Sequence, residues 1–596
     1  MSTEATAASE TSNESGKYRP LGVLFPILLV GLMVLCRFIP SLWEDGPSMT
    51  WAIGAFGPVL SSLLVLLWWL AISRATAAER VVGLGLVIAA LAITTMLLDE
   101  TVMPVAVVIT IPLGVAGFAI GLVMTSRWLS FQRTLVAALA CLAFSGLSDL
   151  VRNEGAWGDF SFDLHWRWSP TPEERFLAER AETNKTEPVE LNLTEGEFPE
   201  ITWSGFRGSN RDGVVAHSRI DSNWKANPPE EKWRVKVGPA WSSFAVAGEM
   251  LFTQEQRGEQ ESAVCYSAEN GQEIWANDIE SRFTEALGGL GPRATPTLSG
   301  DKLVSQGAAG WLRCNDARTG KLLWKVDIKK VADCSIPMWG FSCSPLCIKA
   351  KQDDLAIVHT GAAADKGIMA FSMSDGSVAW SATAGKQSYG SLQEVQLLGQ
   401  RAIVILSERG AEFFEPETGE SIFLYDWKHT GYRALQPLMI RDDRMLIPTG
   451  MGSGTRLVQF AKDKDGSISG EEVWTSRRLK PDFNDILVYQ DNVYGFDGEI
   501  FCSLKLADGK LNWKGGRYGK GQAILLSDAG ADAGIIIVLS EKGDLVLLKA
   551  TPDGHEELYR APALEGRTWN HPVLIGNQLY LRNDKEAVCY TLPVFP

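Results

Sequence analysis

The chain has 596 residues, of which 46% are hydrophobic and 21% charged, and its formal net charge at pH 7 is −15. Nucleic-acid binding needs clustered Lys and Arg to neutralise phosphates and release their counterions, so this acidic balance excludes the usual nucleic-acid-binding footprint. A mean hydropathy of zero with so many hydrophobic residues indicates one very apolar region balanced by a polar one.

The apolar region is the first quarter of the chain. It holds five apolar segments, roughly residues 21–39, 51–73, 81–98, 102–124 and 134–148. Because a helix needs about 20 apolar residues to cross about 30 Å of hydrocarbon, the pattern predicts an α-helical transmembrane bundle of about five helices over residues 21–150. The fifth segment is short, and a re-entrant or interfacial segment is its alternative.

The charges between these segments predict an orientation. Basic residues fall on one side of the bundle and acidic pairs such as Asp99 and Glu100 on the other; the basic residues are Lys17, Arg19, Arg74, Arg80, Arg127 and Arg133. The positive-inside rule then places a disordered leader, residues 1–20, in the cytoplasm. Five spans in the cytoplasmic (inner) membrane export everything after residue 150 to the periplasm or its equivalent, whereas four spans would reverse this.

The second, third and fourth apolar segments contain no Asp, Glu, Lys or Arg. Intramembrane charges usually mark ion or proton pathways, so the bundle is interpreted as an anchor in contact with membrane lipid. A quinone-facing surface is the alternative interpretation.

Residues 151–202 are predicted to be a juxtamembrane helix and linker. Thr171 is a typical N-cap, Pro172 suits the first helical position, and Glu173 and Glu174 favour the first turn. The acidic stretch that follows has no periodicity and contains proline, as expected of a linker.

From Trp203 onward, short alternating runs separated by Gly and Asp turns predict an all-β domain. Eight similar first-strand segments start near residues 241, 293, 339, 389, 433, 482, 521 and 569. The sequence therefore predicts an eight-bladed β-propeller with four-stranded blades over residues 203–596. The last repeat lacks a fourth strand, which the segment around Trp233 is expected to supply.

A tight-turn motif followed by an aromatic residue recurs in these repeats, as in "TGKLLWK" and "DGKLNWK". The Asp/Asn–Gly type of turn supplies the positive φ that a hairpin requires. The aromatic side chains are expected to pack between blades and to be structural; they are Trp275, Trp324, Trp380, Phe423, Trp474, Trp513 and Tyr559.

The segments "CYSAENGQEIW" and "CNDARTGKLLW" resemble the pyrroloquinoline-quinone-type (PQQ-like) β-propeller repeat. This repeat is shared by quinoprotein dehydrogenases and by the propeller lipoprotein of outer-membrane protein assembly. Five spans ahead of such a propeller also resemble the layout of membrane-bound quinoprotein glucose dehydrogenase. The resemblance implies two functions: a binding or scaffold module, or a PQQ-dependent dehydrogenase that oxidises alcohols or sugars with PQQ and calcium.

The sequence favours the binding module. A quinoprotein dehydrogenase needs carboxylate and amide oxygens around a hard cation, and a carboxylate base near the alcohol carbon. No segment matches that pattern, and the chain has neither adjacent cysteines nor a CxxCH haem motif. No catalytic residue is predicted; the expected ligand is a protein, peptide or small molecule, and the expected partners are envelope proteins.

The first strand of each blade lines a propeller's axis, so residues at the strand starts are predicted to form a ligand-binding funnel. These residues are Trp241, Ser242, Arg293, Thr295, Trp339, Ser342, Ser344, Asn484, Gln522, Trp569, Asn570 and His571. Trp side chains with Arg, Asn and Gln suit a polar planar ligand or an extended peptide. The alternative is a polar, wet and empty channel.

A weak calcium-loop motif lies in "AKDKDGSISGEE". Asp463, Asp465, Ser467 and Glu472 occupy ligand positions of a twelve-residue calcium loop, but its first position is Ala461. A solvated hairpin is the favoured interpretation.

Cysteine use permits one disulfide. Cys334, Cys343 and Cys347 cluster in the sequence, and a bridge between Cys334 and one of the other two is plausible outside the cytoplasm. The remaining cysteines are interpreted as small buried residues.

Overall fold

The computed structural model describes residues 21–42, 50–183, 198–386, 388–527 and 534–595. The chain divides into two compact units, Met1–Ser169 with Ala286–Gly289, and Pro170–Glu285 with Leu290–Pro596. The predicted leader and residues 184–197 of the predicted linker lie outside the described residues.

The first unit is built from five apolar helices. They are α1 (Leu24–Leu42), α2 (Thr50–Leu67) with a π-helical turn (Trp68–Ile72), α3 (Ala77–Leu97), α4 (Thr110–Met124) and α5 (Ser130–Ser145) with a 3₁₀ turn (Gly146–Leu150). A further 3₁₀ turn, Met103–Val105, lies between α3 and α4. A hairpin follows α5, formed by β1 (Val151–Ala156) and β2 (Phe162–Trp166).

The structure has fewer candidate membrane spans than the five predicted. Within the described residues, three helical segments are long and apolar enough to cross a membrane; they are Thr50–Ile72, Ala77–Leu97 and Ser130–Leu150. Two apolar helices are shorter; they are Leu24–Phe38 and Thr110–Met124. The predicted fourth span is shorter because residues 101–109 form turns around Pro104, and α4 begins only at Thr110. The fifth segment, expected to be marginal, is among the three.

Small residues allow α4 and α5 to pack closely. A Cβ added to Gly117 would lie 2.5 Å from the Ala140 carbonyl oxygen, and one added to Gly121 would lie 2.6 Å from the Ala137 Cα. Near the other ends of the helices, Arg133 of α5 forms a buried two-point ion pair with Glu79 of α3, with N–O distances of 2.6 and 2.8 Å. Close backbones and one satisfied ion pair are typical contacts inside a helical membrane bundle.

The second unit begins with α6 (Pro172–Thr183). Its start is as predicted: the Glu174 amide donates to Thr171 Oγ1, and the Thr171 amide donates to the Glu174 carboxylate. This is a capping box, in which each residue satisfies the other's free backbone N–H.

The propeller follows. Three strands precede its first blade, β3 (Ile201–Trp203), β4 (Val214–Val215) and β5 (Glu230–Lys236). Blade 1 contains β6 (Ala245–Ala247), β7 (Met250–Arg257), β8 (Gln260–Ser267) and β9 (Glu273–Glu280), and its following loop holds β10 (Thr284–Glu285) and β11 (Gly289–Leu290). Blade 2 contains β12 (Thr297–Ser299), β13 (Lys302–Gln306), β14 (Trp311–Asp316) and β15 (Leu322–Asp327), followed by α7 (Ile328–Ala332). Blade 3 contains β16 (Leu346–Ile348), β17 (Leu355–His359), β18 (Ile368–Ser372) and β19 (Val378–Ala382). Blade 4 contains β20 (Gln393–Leu397), β21 (Gln400–Leu406), β22 (Gly410–Phe414) and β23 (Ser421–Asp426).

The second half repeats this pattern. Blade 5 contains β24 (Leu438–Arg441), β25 (Arg444–Thr449), β26 (Gly454–Lys462) and β27 (Ile468–Ser476). Blade 6 contains β28 (Leu487–Tyr489), β29 (Asn492–Asp497), β30 (Ile500–Lys505) and β31 (Leu511–Arg517). Blade 7 contains β32 (Gln522–Leu526), β33 (Ile535–Leu539), β34 (Asp544–Lys549) and β35 (Glu557–Pro562), and blade 8 contains β36 (Val573–Ile575), β37 (Gln578–Arg582), β38 (Glu586–Thr591) and the early strand β5. The predicted eight four-stranded blades are confirmed.

The ring closes as predicted. Strand β38 pairs antiparallel with β5, and Cys589 lies opposite Trp233. The start and the end of the propeller are therefore hydrogen-bonded neighbours within blade 8, and β5 gives that blade its fourth strand.

Tryptophan side chains join successive blades. Each donates its indole N–H to a carbonyl of the next blade over 2.8–3.2 Å; the pairs are Trp233–Ala268, Trp275–Ala317, Trp324–Met373, Trp380–Pro416, Trp474–Leu506 and Trp513–Thr551. In five of these pairs the ring also lies against the turn glycine of the next blade; these glycines are Gly271, Gly320, Gly376, Gly419 and Gly509. The recurring turn glycine and aromatic residue are therefore the two sides of one contact between blades, called here the Trp–Gly contact.

The two repeats with another aromatic residue are the ones whose next blade lacks this turn. After Phe423 comes the longer β26–β27 hairpin, and Phe423 lies 6.0 Å from Phe460. After Tyr559 comes blade 8, whose last two strands are not joined by a hairpin, and Tyr559 lies 5.5 Å from Trp224. Five of the six tryptophans therefore lie against a turn glycine of the next blade, and Trp513, whose next turn glycine Gly554 has no heavy atom within 4 Å of an added Cβ, keeps only the hydrogen bond.

The expected disulfide is not formed. Cys334, Cys343 and Cys347 are all free thiols. Cys343 packs in a cluster with Leu346 and Leu392, whereas Cys334 and Cys347 pack against a different cluster. Burial raises the pKa of Cys347 to about 12, so its thiol is protonated and unreactive at neutral pH.

Candidate functional site

The loops that enter the innermost strands define one end of the propeller channel. In seven blades, the residue four positions before the innermost strand occupies an equivalent place, and these residues lie at the same end of the ring. They are Trp241, Arg293, Ser342, Tyr389, Ala434, Phe483 and Trp569. This set, with Trp339 and Tyr432 from the same loops, is called the mouth.

One aromatic group of the mouth spans blades 6, 8 and 1. The ring centroids of Trp241 and Trp569 are 4.7 Å apart, and Phe483 lies 5.1 Å from Trp569. The Arg567 guanidinium lies 5.0 Å from the Trp241 ring and 4.8 Å from the Trp569 ring, and the Trp569 indole donates to Glu541 over 2.8 Å. The three rings are half-buried, so each keeps a solvent-facing surface while its position is fixed.

A second aromatic group lies on blades 3, 4 and 5. Trp339 is 5.1 Å from Tyr389 and 4.3 Å from Tyr432, again as half-buried rings. The Ser342 hydroxyl donates to the Tyr389 carbonyl over 2.8 Å and joins the two loops. Burial, assisted by the charge of Asp482, raises the pKa of Tyr432 to about 12, so its hydroxyl is neutral at physiological pH.

The charges of the mouth occur as pairs. Arg293 lies 3.1 Å from Glu285 and above the Phe283 ring at 5.3 Å. Burial lowers the pKa of Arg293 to about 10, which still leaves it charged, while Glu285 acts in the opposite direction. Lys520 forms an ion pair with Asp482. The mouth therefore combines aromatic surface with balanced charge.

Just inside the mouth, polar side chains of neighbouring blades form a ring of hydrogen bonds. They occupy the position two residues before the innermost strand: Ser243, Thr295, Ser344, Ser391, Gln436, Asp485 and His571. The backbone amides of Ser243, Thr295 and Ser344 each donate to the hydroxyl of the next blade over 2.9–3.0 Å. The Gln436 amide donates to Asp485, and the Ser243 hydroxyl donates to the His571 carbonyl. We call this set the polar belt; it holds the blades together.

Four other predicted funnel residues also join strands or blades. Asn484 donates to the Gly521 carbonyl, Gln522 to the Phe483 carbonyl and Asn570 to the Ser242 carbonyl. The Ser242 hydroxyl donates to the Ser243 carbonyl and is fully buried. These side chains donate hydrogen bonds within the ring and so help to hold its strands together.

The centre of the channel, beyond the polar belt, is occupied by the chain itself. The segment 203–215, called the plug, runs from β3, which pairs with β6 of blade 1, to β4, which pairs with β32 of blade 7. Between these strands it makes two tight turns in which Arg207 and Arg211 have φ values of 59° and 55°. Left-handed backbone is uncommon for arginine and costs about 1 kcal/mol or more per residue, so strong contacts must hold the plug in place.

The two arginines of the plug supply those contacts. Arg211 donates to the carbonyls of Ser344, Pro345 and Leu392 and to Thr297 Oγ1, which joins blades 2, 3 and 4. Arg207 donates to the Ile486 carbonyl of blade 6 over 2.9 Å. Both side chains are buried, and their bonds satisfy backbone groups facing the axis.

Arg207 also connects the plug to the polar belt. It lies 3.6 Å from Asp485, which is 3.5 Å from His571, and the His571 ring contacts Phe206 of the plug at 4.8 Å. Burial would raise the pKa of Asp485, but Arg207 and His571 outweigh it, and the pKa lies below its ordinary value. Burial lowers the pKa of His571 despite the carboxylate beside it, so the imidazole is neutral at pH 7.

The calcium-loop residues lie on the β26–β27 hairpin. Asp463, Asp465 and Ser467 are at its exposed tip, where Ser467 donates to Asp465. Glu472 lies further along β27, 2.9 Å from Arg456, and accepts a bond from Thr475. Among the described residues, three metal-ligand groups converge only at Glu154, Asp163 and His165 of the β1–β2 hairpin, where Arg152 also binds Glu154.

The residues present do not fit PQQ with calcium. A quinone held over a hard cation needs several oxygen ligands free to converge on that ion. The buried carboxylate of the polar belt, Asp485, is held between Arg207 and His571, and the plug arginines add positive charge beside it.

Several residues of the site were not predicted. Tyr389 and Phe483 lie in segments that were recognised as strand starts, and their signal was an aromatic ring at the same offset as Trp241. Tyr432 lies one residue before the fifth such segment. Arg207 and Arg211 lie before the first blade, in a stretch without periodicity. Two arginines between three glycines at 205, 208 and 213 were the available sign of a tightly turned, functional or buried segment.

Comparison with known proteins agrees with this architecture. The family model described as outer membrane protein assembly factor BamB matches residues 224–405 and 308–514. The matched residues contain PQQ-like repeats of the type that this model describes. No curated protein matches the chain.

Solved structures of low identity are also similar. BamB from Moraxella catarrhalis is 13% identical, with a TM-score of 0.44, and covers 61% of this chain and 100% of its own. Quinohemoprotein alcohol dehydrogenase ADHIIG from Pseudomonas putida HK5 is 13% identical, with a TM-score of 0.44 and coverage of 66% and 81%. The quinohemoprotein alcohol dehydrogenase from Comamonas testosteroni is 10% identical, with a TM-score of 0.37 and coverage of 71% and 85%. At these scores, the fold assignment rests on the strand pairing.

Proposed function

We propose that the chain is a membrane-anchored binding or scaffold protein of the cell envelope, whose exported propeller binds an extended segment of a partner protein across the mouth. The observation that supports this proposal is the pair of half-buried aromatic groups, one centred on Trp569 and the other on Trp339.

The chemistry of the mouth favours a peptide with apolar or aromatic side chains. Its cations and anions are paired with each other, and the polar belt uses its donors and acceptors between blades. Fixed Trp and Tyr rings gain binding energy by covering apolar groups at little entropic cost. Two such groups on different arcs of the ring suit an extended chain that contacts both.

The plug determines how such a ligand is held. Because Arg207 and Arg211 bind backbone carbonyls of blades 3, 4 and 6 across the axis, a ligand lies over the mouth and does not thread the channel. The apolar helices would anchor the chain in the membrane, where envelope proteins are assembled or retained.

Photo-crosslinking of the full chain tests the proposal. A benzophenone amino acid in place of Tyr389 should give a crosslinked envelope protein in intact cells. Trp339→Ala combined with Trp569→Ala should abolish the crosslink, whereas Trp311→Ala, a half-buried tryptophan on β14 of blade 2, should leave it unchanged. A crosslink insensitive to the double variant contradicts binding at the mouth.

The same purified full-length protein tests the dehydrogenase alternative. Addition of PQQ and calcium should produce neither a bound quinone absorbance nor dye reduction with alcohols or sugars. Alcohol-dependent dye reduction would instead assign the propeller to quinoprotein chemistry.

A further inference from the structure

The β1–β2 hairpin of the first unit exposes large aromatic side chains. Trp166 and Trp168 are 55% and 68% exposed, and their rings stack 5.0 Å apart at an angle of 11°. Two adjacent exposed tryptophans are unusual for a surface in water, because each leaves a large apolar area hydrated. Stacking fixes both rings together, so the surface they present is preformed.

The position of these two rings along the helical bundle is fixed by Arg167, the residue between them. Arg167 donates to the carbonyls of Leu97 and Asp149 over 3.2 and 3.3 Å, and its Nε lies 3.4 Å from Asp99. Leu97 is the last residue of one candidate span, and Asp149 lies in the last turn of another. Trp166 and Trp168 are therefore level with the point where two spans end.

The face of β2 that carries Trp166 is continuous with the apolar surface of the bundle. Strand residues alternate between faces, so Phe162, Leu164 and Trp166 share one face, and Asp163 and His165 share the other. Phe162 packs against the cluster of Leu98 and Val102. Leu164 beyond it is 39% exposed. The apolar face thus begins in the packed end of the bundle and extends outward.

The neighbouring ends of the spans add to the same surface. Leu97, Leu147 and Leu150 are 60%, 51% and 41% exposed. These leucines belong to segments long enough to cross a bilayer, where such exposure is expected because lipid surrounds them. A bilayer that covers these leucines also reaches the stacked tryptophans that flank Arg167.

We infer that the β1–β2 hairpin is an interfacial membrane anchor, with Trp166 and Trp168 inserted among the lipid headgroups of the leaflet at this end of the bundle. Indole rings suit this region because their apolar body enters the lipid while the N–H remains hydrated. The Arg167 side chain, 44% exposed, lies where it reaches lipid phosphates. The partner is therefore a phospholipid surface, in addition to the lipid around the spans.

Site-specific photo-crosslinking in native membranes tests this inference. A benzophenone amino acid replaces Trp166 or Trp168 in the full chain, and mass spectrometry identifies the adduct after illumination. Ile88, 59% exposed on α3, is the positive control for lipid, and Met338, 69% exposed in the propeller, is the control for an exposed apolar residue of the second unit.

The inference predicts phospholipid adducts at positions 166 and 168, at yields comparable with position 88, and no lipid adduct at position 338. Lipid adducts at position 88 without any at 166 or 168 would overturn it. A protein adduct at 166 or 168 in place of lipid would also overturn it, because the aromatic surface would then be a protein interface. Neither result depends on what the mouth of the propeller binds.

Discussion

Tryptophan occurs in two regions of the propeller with different consequences. Trp324 of the outer strands is 7% exposed, donates to the next blade and lies against Gly376. Trp339 of the mouth is half-buried, and among the described residues its ring contacts are with Tyr389 and Tyr432, which belong to other loops of the mouth. The first region forms the ring, and the second is positioned by it. Stability and binding are therefore expected to separate between them.

Removal of a Trp–Gly contact should have the largest effect on stability. Trp324→Ala is expected to lower the free energy of unfolding by about 3–5 kcal/mol, because it empties a buried space between blades 2 and 3 and removes one of the two donors to the Met373 carbonyl, the other being Lys302. Denaturation of the full chain in detergent, followed by far-ultraviolet circular dichroism, measures the change. The exposed neighbour Leu323 is the control, and Leu323→Ala should cost less than about 1 kcal/mol. Equal costs would contradict a structural role for the contact.

The glycine side of the contact should have the next largest effect. Gly320 has a φ of 72°, and a Cβ there would lie 2.5 Å from the Trp275 ring. Gly320→Ala is expected to cost about 2–4 kcal/mol, as the sum of backbone strain and overpacking.

A matched variant separates the two causes. Gly300 has a φ of 59° but no heavy atom within 4 Å of an added Cβ, so Gly300→Ala should cost only about 1–2 kcal/mol of backbone strain. If Gly300→Ala lowers the free energy of unfolding as much as Gly320→Ala does, overpacking against the Trp275 ring does not contribute to the cost at Gly320.

The buried pair of the polar belt should make stability depend on pH. The pKa of His571 is lowered by burial from its ordinary 6.5, so the unfolded chain takes up a proton below pH 6.5 while the folded chain does not. Acidification therefore destabilises the fold, by at most about 1.4 kcal/mol per pH unit for one such group. Asp485 acts in the same direction at lower pH, because its folded pKa also lies below the unfolded value.

His571→Gln should reduce the slope of unfolding free energy against pH between about pH 6.5 and 5. A residual slope is expected from His359, whose pKa is also lowered by burial. An unchanged slope in His571→Gln would mean that this imidazole is protonated in the folded protein.

The ring contacts were the most predictable part of the molecule, since a turn glycine and an aromatic residue recur at a fixed offset and five pairs of neighbouring blades form the same contact. Closure by the segment around Trp233 followed from the count of aromatic residues. The plug could not be found in this way, because residues 203–215 do not alternate and their arginines are the residue type least expected in a buried channel. Its strand partners, on blades 1 and 7, are more than 30 and 300 residues away.

The candidate site was predicted only in part. The residues of the predicted funnel lie at the strand starts, and their role in ligand binding stays a prediction, in which polar residues were given equal weight with aromatic ones. In the structure, the side-chain amides of Asn484, Gln522 and Asn570 donate to backbone carbonyls of neighbouring blades. These carbonyls lie within hydrogen-bond distance because the loops of neighbouring blades run side by side. The number of spans was overestimated since hydropathy does not report where Pro104 and adjacent turns interrupt a helix.

The mouth should show the smallest change in stability. Trp339→Ala is expected to lower the free energy of unfolding by less than about 1 kcal/mol, because the ring is half-buried and its removal leaves no enclosed cavity. The same change should weaken partner capture through position 389. Trp339→Phe, which keeps an aromatic ring beside Tyr432, should retain most of the capture. A stability cost for Trp339→Ala similar to that of Trp324→Ala would contradict the comparison, since the mouth would then be part of the structural framework and its rings would have no surface to offer a ligand.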